Sequence, residues 1–100
     1  MVDKLPPKQR TKIPRQVMPE QDAQERAQNF KEVNLGLQEA IAQRESQRCL
    51  SCADPKCSHG CPVGVQIREV VDLVREGEYL SAAAKLREDN VMPAVTGRVC

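Results

Sequence analysis

Four cysteines crowd into thirteen residues of this chain. Cys49, Cys52, Cys57 and Cys61 follow a C-x2-C-x4-C-x3-C spacing inside CLSCADPKCSHGCP. One loop carrying four thiols this close together is shaped to wrap a compact ion or cluster. Asp54-Pro55 and Gly60 supply the tight turns such a loop needs. Soft thiolates suit zinc and iron–sulfur clusters alike, and the backbone N–H groups of such a loop can hydrogen-bond to sulfur.

Spacing favours iron–sulfur without excluding zinc. Zinc modules usually use two separated C-x2-C knuckles, or cysteines with paired histidines. Here the cysteines are bunched and Pro62 trails the last, as in the bacterial ferredoxin run, where the cysteine before proline serves a second cluster. The middle gap of four residues departs from that run. His59 reads as an exposed loop histidine or, alternatively, a zinc ligand. Cys100 is either a free thiol or the first ligand of a second cysteine motif, with Gly97-Arg98-Val99 supplying a turn and a positive charge. A thiol–disulfide role for Cys49 and Cys52 is weak, because no βαβ pattern surrounds the C-x-x-C.

Composition bears on how such a loop is supported. Leu, Ile, Val and Phe together number 22 of 100 residues, just above the level where disorder is favoured. Phe30 and Tyr79 are the two aromatics. A core of Val, Leu, Ala and Ile on this scale is marginal and gains from an internal staple or a partner surface. Fifteen basic against fourteen acidic side chains give no field for nucleic acid or anionic lipid. No apolar run approaches the ~20 residues of a membrane span, and MVDKLPPKQR lacks the apolar region of a signal peptide. The expectation is a cytoplasmic chain with reduced thiols, binding neither nucleic acid nor membrane.

The pattern predicts an all-α fold. Residues 1–21 carry four of the seven prolines and an excess of basic side chains, which predicts an extended arm, either solvated or lying along a partner. A helix is expected to start at Asp22, capped in the manner of a capping box with Glu25, and to run through Ala23, Ala27, Phe30 and Val33. A second is expected over 37–48. After the cysteines, Ile67, Val70, Val71 and Val74 form one apolar stripe, with Arg68, Glu69, Asp72 and Arg75 expected to face water. Gly77 ends this helix, and a last helix over 78–88, stopped by Asn90 and Pro93, completes a helical hairpin. About four helices over 22–100 follow the arm.

Glu25-Arg26, Asn29-Phe30, Glu32-Val33, Gly36, Arg48-Cys49-Leu50-x-Cys52, Cys57, Cys61-Pro62 and Gly97-Arg98-Val99-Cys100 together resemble the N-terminal iron–sulfur domain of the glutamate synthase small (β) chain. The same domain opens dihydropyrimidine dehydrogenase and the large subunit of NADH-dependent ferredoxin:NADP oxidoreductase. The resemblance spans roughly residues 10–100. It implies a helical domain with two 4Fe–4S clusters, Cys49, Cys52 and Cys57 ligating the first, Cys61 and Cys100 the second. It further implies FAD- and NADPH-binding domains downstream in the same chain, and a large synthase-type or other flavin or iron–sulfur subunit as partner. Electrons would pass from NADPH through FAD and the clusters, with no catalytic side chain needed and no catalysis by this domain alone.

Two departures accompany the resemblance. The family's second cysteine motif continues beyond GRVC, so the chain reads as one domain of a longer protein, cut within that motif, and such a piece can fold without its clusters. No G-x-G-x-x-G is present for a dinucleotide. Arg68 stands where proline is expected, which should alter only the start of its helix. The competing function is a zinc-stabilised interaction module docking through the 67–74 stripe.

Overall fold

The computed structural model describes residues 5–100. Among them are seven short helices: α1 (Pro7–Arg10), α2 (Ala23–Arg26), α3 (Glu39–Ser46), α4 (Lys56–Gly60), α5 (Ile67–Arg75), α6 (Tyr79–Asp89) and α7 (Pro93–Val99). The only β pairing among the described residues is an isolated antiparallel bridge between Glu20 and Asn34. The all-α expectation holds, and the hairpin after the cysteines is α5 and α6.

The hairpin shows how local signals set this fold. Glu69, Arg75 and their neighbours give α5 its polar positions, and Gly77 ends the helix at φ +83°. The Gly77 N–H donates to the Val74 carbonyl and the Glu78 N–H to the Leu73 carbonyl, the two bonds of a Schellman stop. The chain then turns straight into α6. Lys85 on α6 reaches Glu69 on α5 at 2.8 Å, and α5 packs between α6 on one side and α3 and α4 on the other. A Cβ at Gly77 meets nothing closer than Gln43 Nε2 at 3.4 Å, so replacement costs backbone strain alone. Gly77→Ala should therefore lower unfolding stability by about 1 kcal/mol, read as a lower denaturation midpoint. An unchanged midpoint contradicts this account of the turn.

Several expected elements are shorter or different. Asp22 does cap α2, its Oδ2 accepting from the Gln24 and Glu25 amides at 3.1 and 3.4 Å. The helix nonetheless stops at Arg26. Asn29 takes over the backbone there: its Nδ2 donates to the Glu25 carbonyl and its Oδ1 accepts from the Lys31 amide. A side chain competing in this way offers the chain an alternative to the helix. Phe30 and Val33 consequently leave the helical stripe, and Phe30 stands fully exposed. The helix expected over 37–48 is trimmed to α3.

Three helices were not expected, one of them α1 within the segment read as an extended arm. Lys56, Cys57 and Gly60 lie in α4 rather than in plain turns. Pro93 stops α6 as anticipated but also begins α7, where its missing N–H costs nothing. Gly97-Arg98-Val99 is thus helix, not turn. The corner before α7 is fixed by Asn90, whose Nδ2 donates to Thr96 Oγ1 at 2.6 Å and whose Oδ1 accepts from the Met92 amide.

Residues 5–21 are tied to the rest of the chain. Arg10, at the end of α1, is 2% exposed, and the Gln16 amide donates to Glu45 Oε2 on α3 at 2.8 Å. That bond, more than the neighbouring Arg48, holds the Glu45 carboxyl below its usual pKa. Because the folded value is the lowered one, this contribution is complete above the ordinary Glu range and is lost as pH falls through the lowered value. The Gln16 amide proton should therefore shift upfield on acidification with a midpoint below that of a free Glu. A titration midpoint at or above the free value contradicts the contact.

The core is thin. Among the described residues, Val65 and Ala82 are the buried apolar ones, while Phe30, Leu80, Val91 and Val99 are among the large ones left exposed. What the interior lacks in apolar mass it partly replaces with buried polar groups: Arg10, Ser46, Gln47 and Arg75.

Candidate cluster site

The cysteine segment leaves α3, loops through Cys49–Cys52, enters α4 at Lys56 with Cys57 in its first turn, leaves it at Cys61 and turns through Gly64 into α5. Cys49 and Cys61 are half-buried; Cys52, Cys57 and Cys100 are exposed, and all five thiols are free. The loop owes its path to α5. Ser51 adopts φ +52°, a left-handed conformation that costs a non-glycine residue energy and persists only when its surroundings hold it. Here its Oγ donates to Asp72 Oδ1 at 2.9 Å. Arg75, 4% exposed, ion-pairs with Asp72 and also reaches Ser51 Oγ and the Ser46 carbonyl. One step away, Arg68 Nη1 donates to the Cys52 carbonyl at 2.7 Å.

These contacts correct the sequence reading. Asp72 and Arg75 do not face water, and Arg68 does more than alter a helix start. The signal was available: 68, 72 and 75 fall at i, i+4 and i+7, one helical face, and that face lies beneath the cysteine loop. Arg10 adds a contact from far upstream, its Nη1 donating to the Cys49 carbonyl at 2.6 Å. No local pattern announces it.

The α4 turn is arranged separately. Asp54 holds both His59 Nε2 at 2.8 Å and Lys56 Nζ at 2.9 Å, and these partners, Lys56 first, keep its carboxyl below the usual value. His59 is largely exposed, the loop-histidine reading. Ser58 Oγ accepts from the Ile67 amide at 3.2 Å, which joins α4 to the start of α5.

Cys61 has the most distinctive surroundings. The amides of Val65 and Val63, and more weakly Gly64, hold its thiol below the ordinary value against the opposing effects of burial and Asp89. The turn that aims them passes through Gly64 at φ +74°. N–H groups converging on sulfur favour the thiolate, the form that ligates metal. Cys61 and Cys100, distant in sequence, line one cavity of about 510 Å³ whose walls include Val65, Ile67, Leu86 and Val99. Cys49 lines a second cavity of about 480 Å³ with Ala42, Ile67, Val71 and Val74. Ile67 is common to both, so the apolar stripe of α5 walls the spaces beside the cysteines.

The donor chemistry fits a thiolate-ligated group. Apolar cavities open beside Cys49 and beside Cys61 and Cys100, and the neighbouring amides hold the Cys61 thiol below its ordinary value. Two residues before Cys49, the buried Gln47 carboxamide has neither its nitrogen nor its oxygen hydrogen-bonded, leaving polar capacity unmet beside the first ligand candidate. The described residues contain no set of three or more His, Cys, Asp or Glu side chains converging on a single ion. Cys61 and Cys100 thus line one cavity and Cys49 a neighbouring one, while Cys52 and Cys57 stand on the outer loop and α4. No helix among the described residues is long and apolar enough to cross a membrane.

Comparison with known proteins agrees with the residues quoted above. A family model described as dihydropyrimidine dehydrogenase domain II, 4Fe-4S cluster, matches residues 26–100. The glutamate synthase [NADPH] small chain of Mycobacterium tuberculosis is 36% identical over 75 residues, covering 75% of this chain and 15% of that protein. Its counterpart in Halomonas elongata is 36% identical over 88 residues, 88% of this chain and 19% of the relative. The Escherichia coli small chain is 38% identical over 71 residues, 71% and 15% respectively. The chain therefore spans less than a fifth of the length of these relatives. With all five cysteines inside the matched residues, the chain belongs to the 4Fe–4S cluster family of dihydropyrimidine dehydrogenase domain II and is related to the glutamate synthase small chain.

Proposed function

We infer that this chain is an electron-carrying domain holding two 4Fe–4S clusters, most like that of the glutamate synthase small chain. Cys49, Cys52 and Cys57 ligate one cluster, and Cys61 and Cys100 the other; the remaining ligands come from outside these five. Residues 22–100 are the cluster domain and 1–21 its arm. The observation that carries the reading is the cavity lined by both Cys61 and Cys100. Cysteines from separate motifs border one largely apolar space, which is what a cluster bridging the two motifs requires.

When bound, a cluster supplies one-electron redox chemistry. The chain's own residues set its surroundings. Amides of Val63, Gly64 and Val65 stabilise negative charge on Cys61. Ile67, Val71 and Val74 form an apolar wall beside Cys49, and the apolar surroundings of a cluster are one of the levers on its potential. The shared Ile67 wall keeps the two sites close. No side chain acts as acid, base or nucleophile. On this reading FAD and NADPH bind in other domains of the same protein, the partner is a large synthase-type or other flavin or iron–sulfur subunit, and the protein works in the cytoplasm, where thiols stay reduced.

The test is electron delivery. NADPH added without oxygen to the intact protein should bleach the visible cluster absorbance. Absorbance that bleaches with dithionite but persists with NADPH overturns the NADPH-linked reading while leaving the clusters in place.

A further inference from the structure

We propose that Arg10, which precedes the residues matched by the family model, is a positioning and charge-compensating residue for the cluster at Cys49. The inference rests on reading Cys49 as a cluster ligand. The arm carries several cations, yet Lys8, Lys12 and Arg15 are exposed whereas Arg10 is 2% exposed. Burying one guanidinium while its neighbours stay in water is costly unless charge and hydrogen bonds compensate it. The hydrogen bonds are present: Nη1 donates to the Cys49 carbonyl at 2.6 Å and Nε to the Leu5 carbonyl. The charge compensation is not, since among the described residues no carboxylate pairs with it. Among the described residues, carbonyl dipoles alone face this buried positive charge beside Cys49.

A cluster ligated by thiolates is net anionic, and at Cys49 it provides that missing counter-charge. The arm is also built to deliver the group. Pro7 starts α1 at a position where proline is tolerated, the helix ends at Arg10, and the Gln16–Glu45 bond pins the chain that follows onto α3. Arg10 thereby does two separable things. Its hydrogen bond fixes the Cys49 peptide and so the direction of the thiolate. Its charge favours the reduced, more negative state of the cluster.

The experiment uses the intact protein purified without oxygen, as wild type, Arg10→Gln, Arg10→Lys and, as an exposed arm control, Lys12→Gln. Two quantities are read: the rate of iron release to a chelator, and the midpoint potential from dithionite titration followed by electron paramagnetic resonance. Arg10→Gln should release iron about tenfold faster and be about tenfold harder to reduce, equivalent to about 59 mV for a one-electron couple. Arg10→Lys should recover the potential but not the slow release, because its single ammonium lacks the fork that grips two carbonyls. Lys12→Gln should match wild type. If Arg10→Gln does not accumulate, Arg10→Lys decides: faster release supports the proposal and unchanged release overturns it. A wild type with its clusters and an Arg10→Gln protein identical to it overturn this proposal alone. A wild type without iron overturns the ligand reading and this proposal together.

Discussion

Arg75→Ala should destabilise the chain more than any other single truncation of a non-cysteine side chain. The guanidinium is buried and bonds Asp72, Ser51 and the Ser46 carbonyl, so it joins α5, the end of α3 and the cysteine loop at one point. Removing it leaves the half-buried Asp72 carboxylate unpaired and withdraws the support that holds Ser51 left-handed. Breaking such a pair from one side costs about 3 kcal/mol, the lower end for buried pairs because Asp72 retains some solvent. A domain of this size has only ~5–15 kcal/mol to lose, and among the described residues Val65 and Ala82 are the buried apolar ones it can fall back on. Chemical denaturation should show the midpoint fall by a large part of its value. Arg68→Ala, removing an exposed contact to the Cys52 carbonyl, should cost far less. Equal effects of the two substitutions contradict the account of the buried network.

Cys52→Ala separates fold from cofactor. Cys52 is exposed, its neighbourhood is held through its carbonyl rather than its sulfur, and shortening its side chain removes no core contact. Circular dichroism of the 100-residue chain should therefore be unchanged. In the intact protein the same substitution removes one of three ligands from the first cluster, and iron and sulfide should fall by about half. Retention of full iron in the variant contradicts the assignment of Cys52. Loss of helical signal contradicts the claim that this loop is held by α5 and the arginines rather than by its thiols.

What the residues disclosed without coordinates follows the range of the interactions involved. The α5 stripe, the Gly77 stop and the Asp22 cap depend on neighbours within a few residues, and each is found where the spacing puts it. Clustered thiols announced themselves because short spacing is itself the signal. The stretch from Phe30 to Val33 misled, since helical periodicity there is outweighed by one side chain, Asn29, that bonds the backbone on both sides. The α7 helix was hidden because Pro93 both ends one helix and begins the next. The support beneath the cysteines was half visible: Arg68, Asp72 and Arg75 share a helical face, yet charged residues on a face are ordinarily solvated, and only the loop above them makes burial worthwhile. The Arg10 contact and the cavity lined by both Cys61 and Cys100 are long-range events. No local spacing specifies them, and the second was foreshadowed only by the family resemblance.

The most direct measurement is metal and sulfide content of the intact protein isolated without oxygen, with its visible and paramagnetic spectra. A brown protein with iron and acid-labile sulfide in equal amounts is expected, its absorbance bleaching on reduction with dithionite. A colourless protein carrying stoichiometric zinc, or none of these, contradicts the cluster reading.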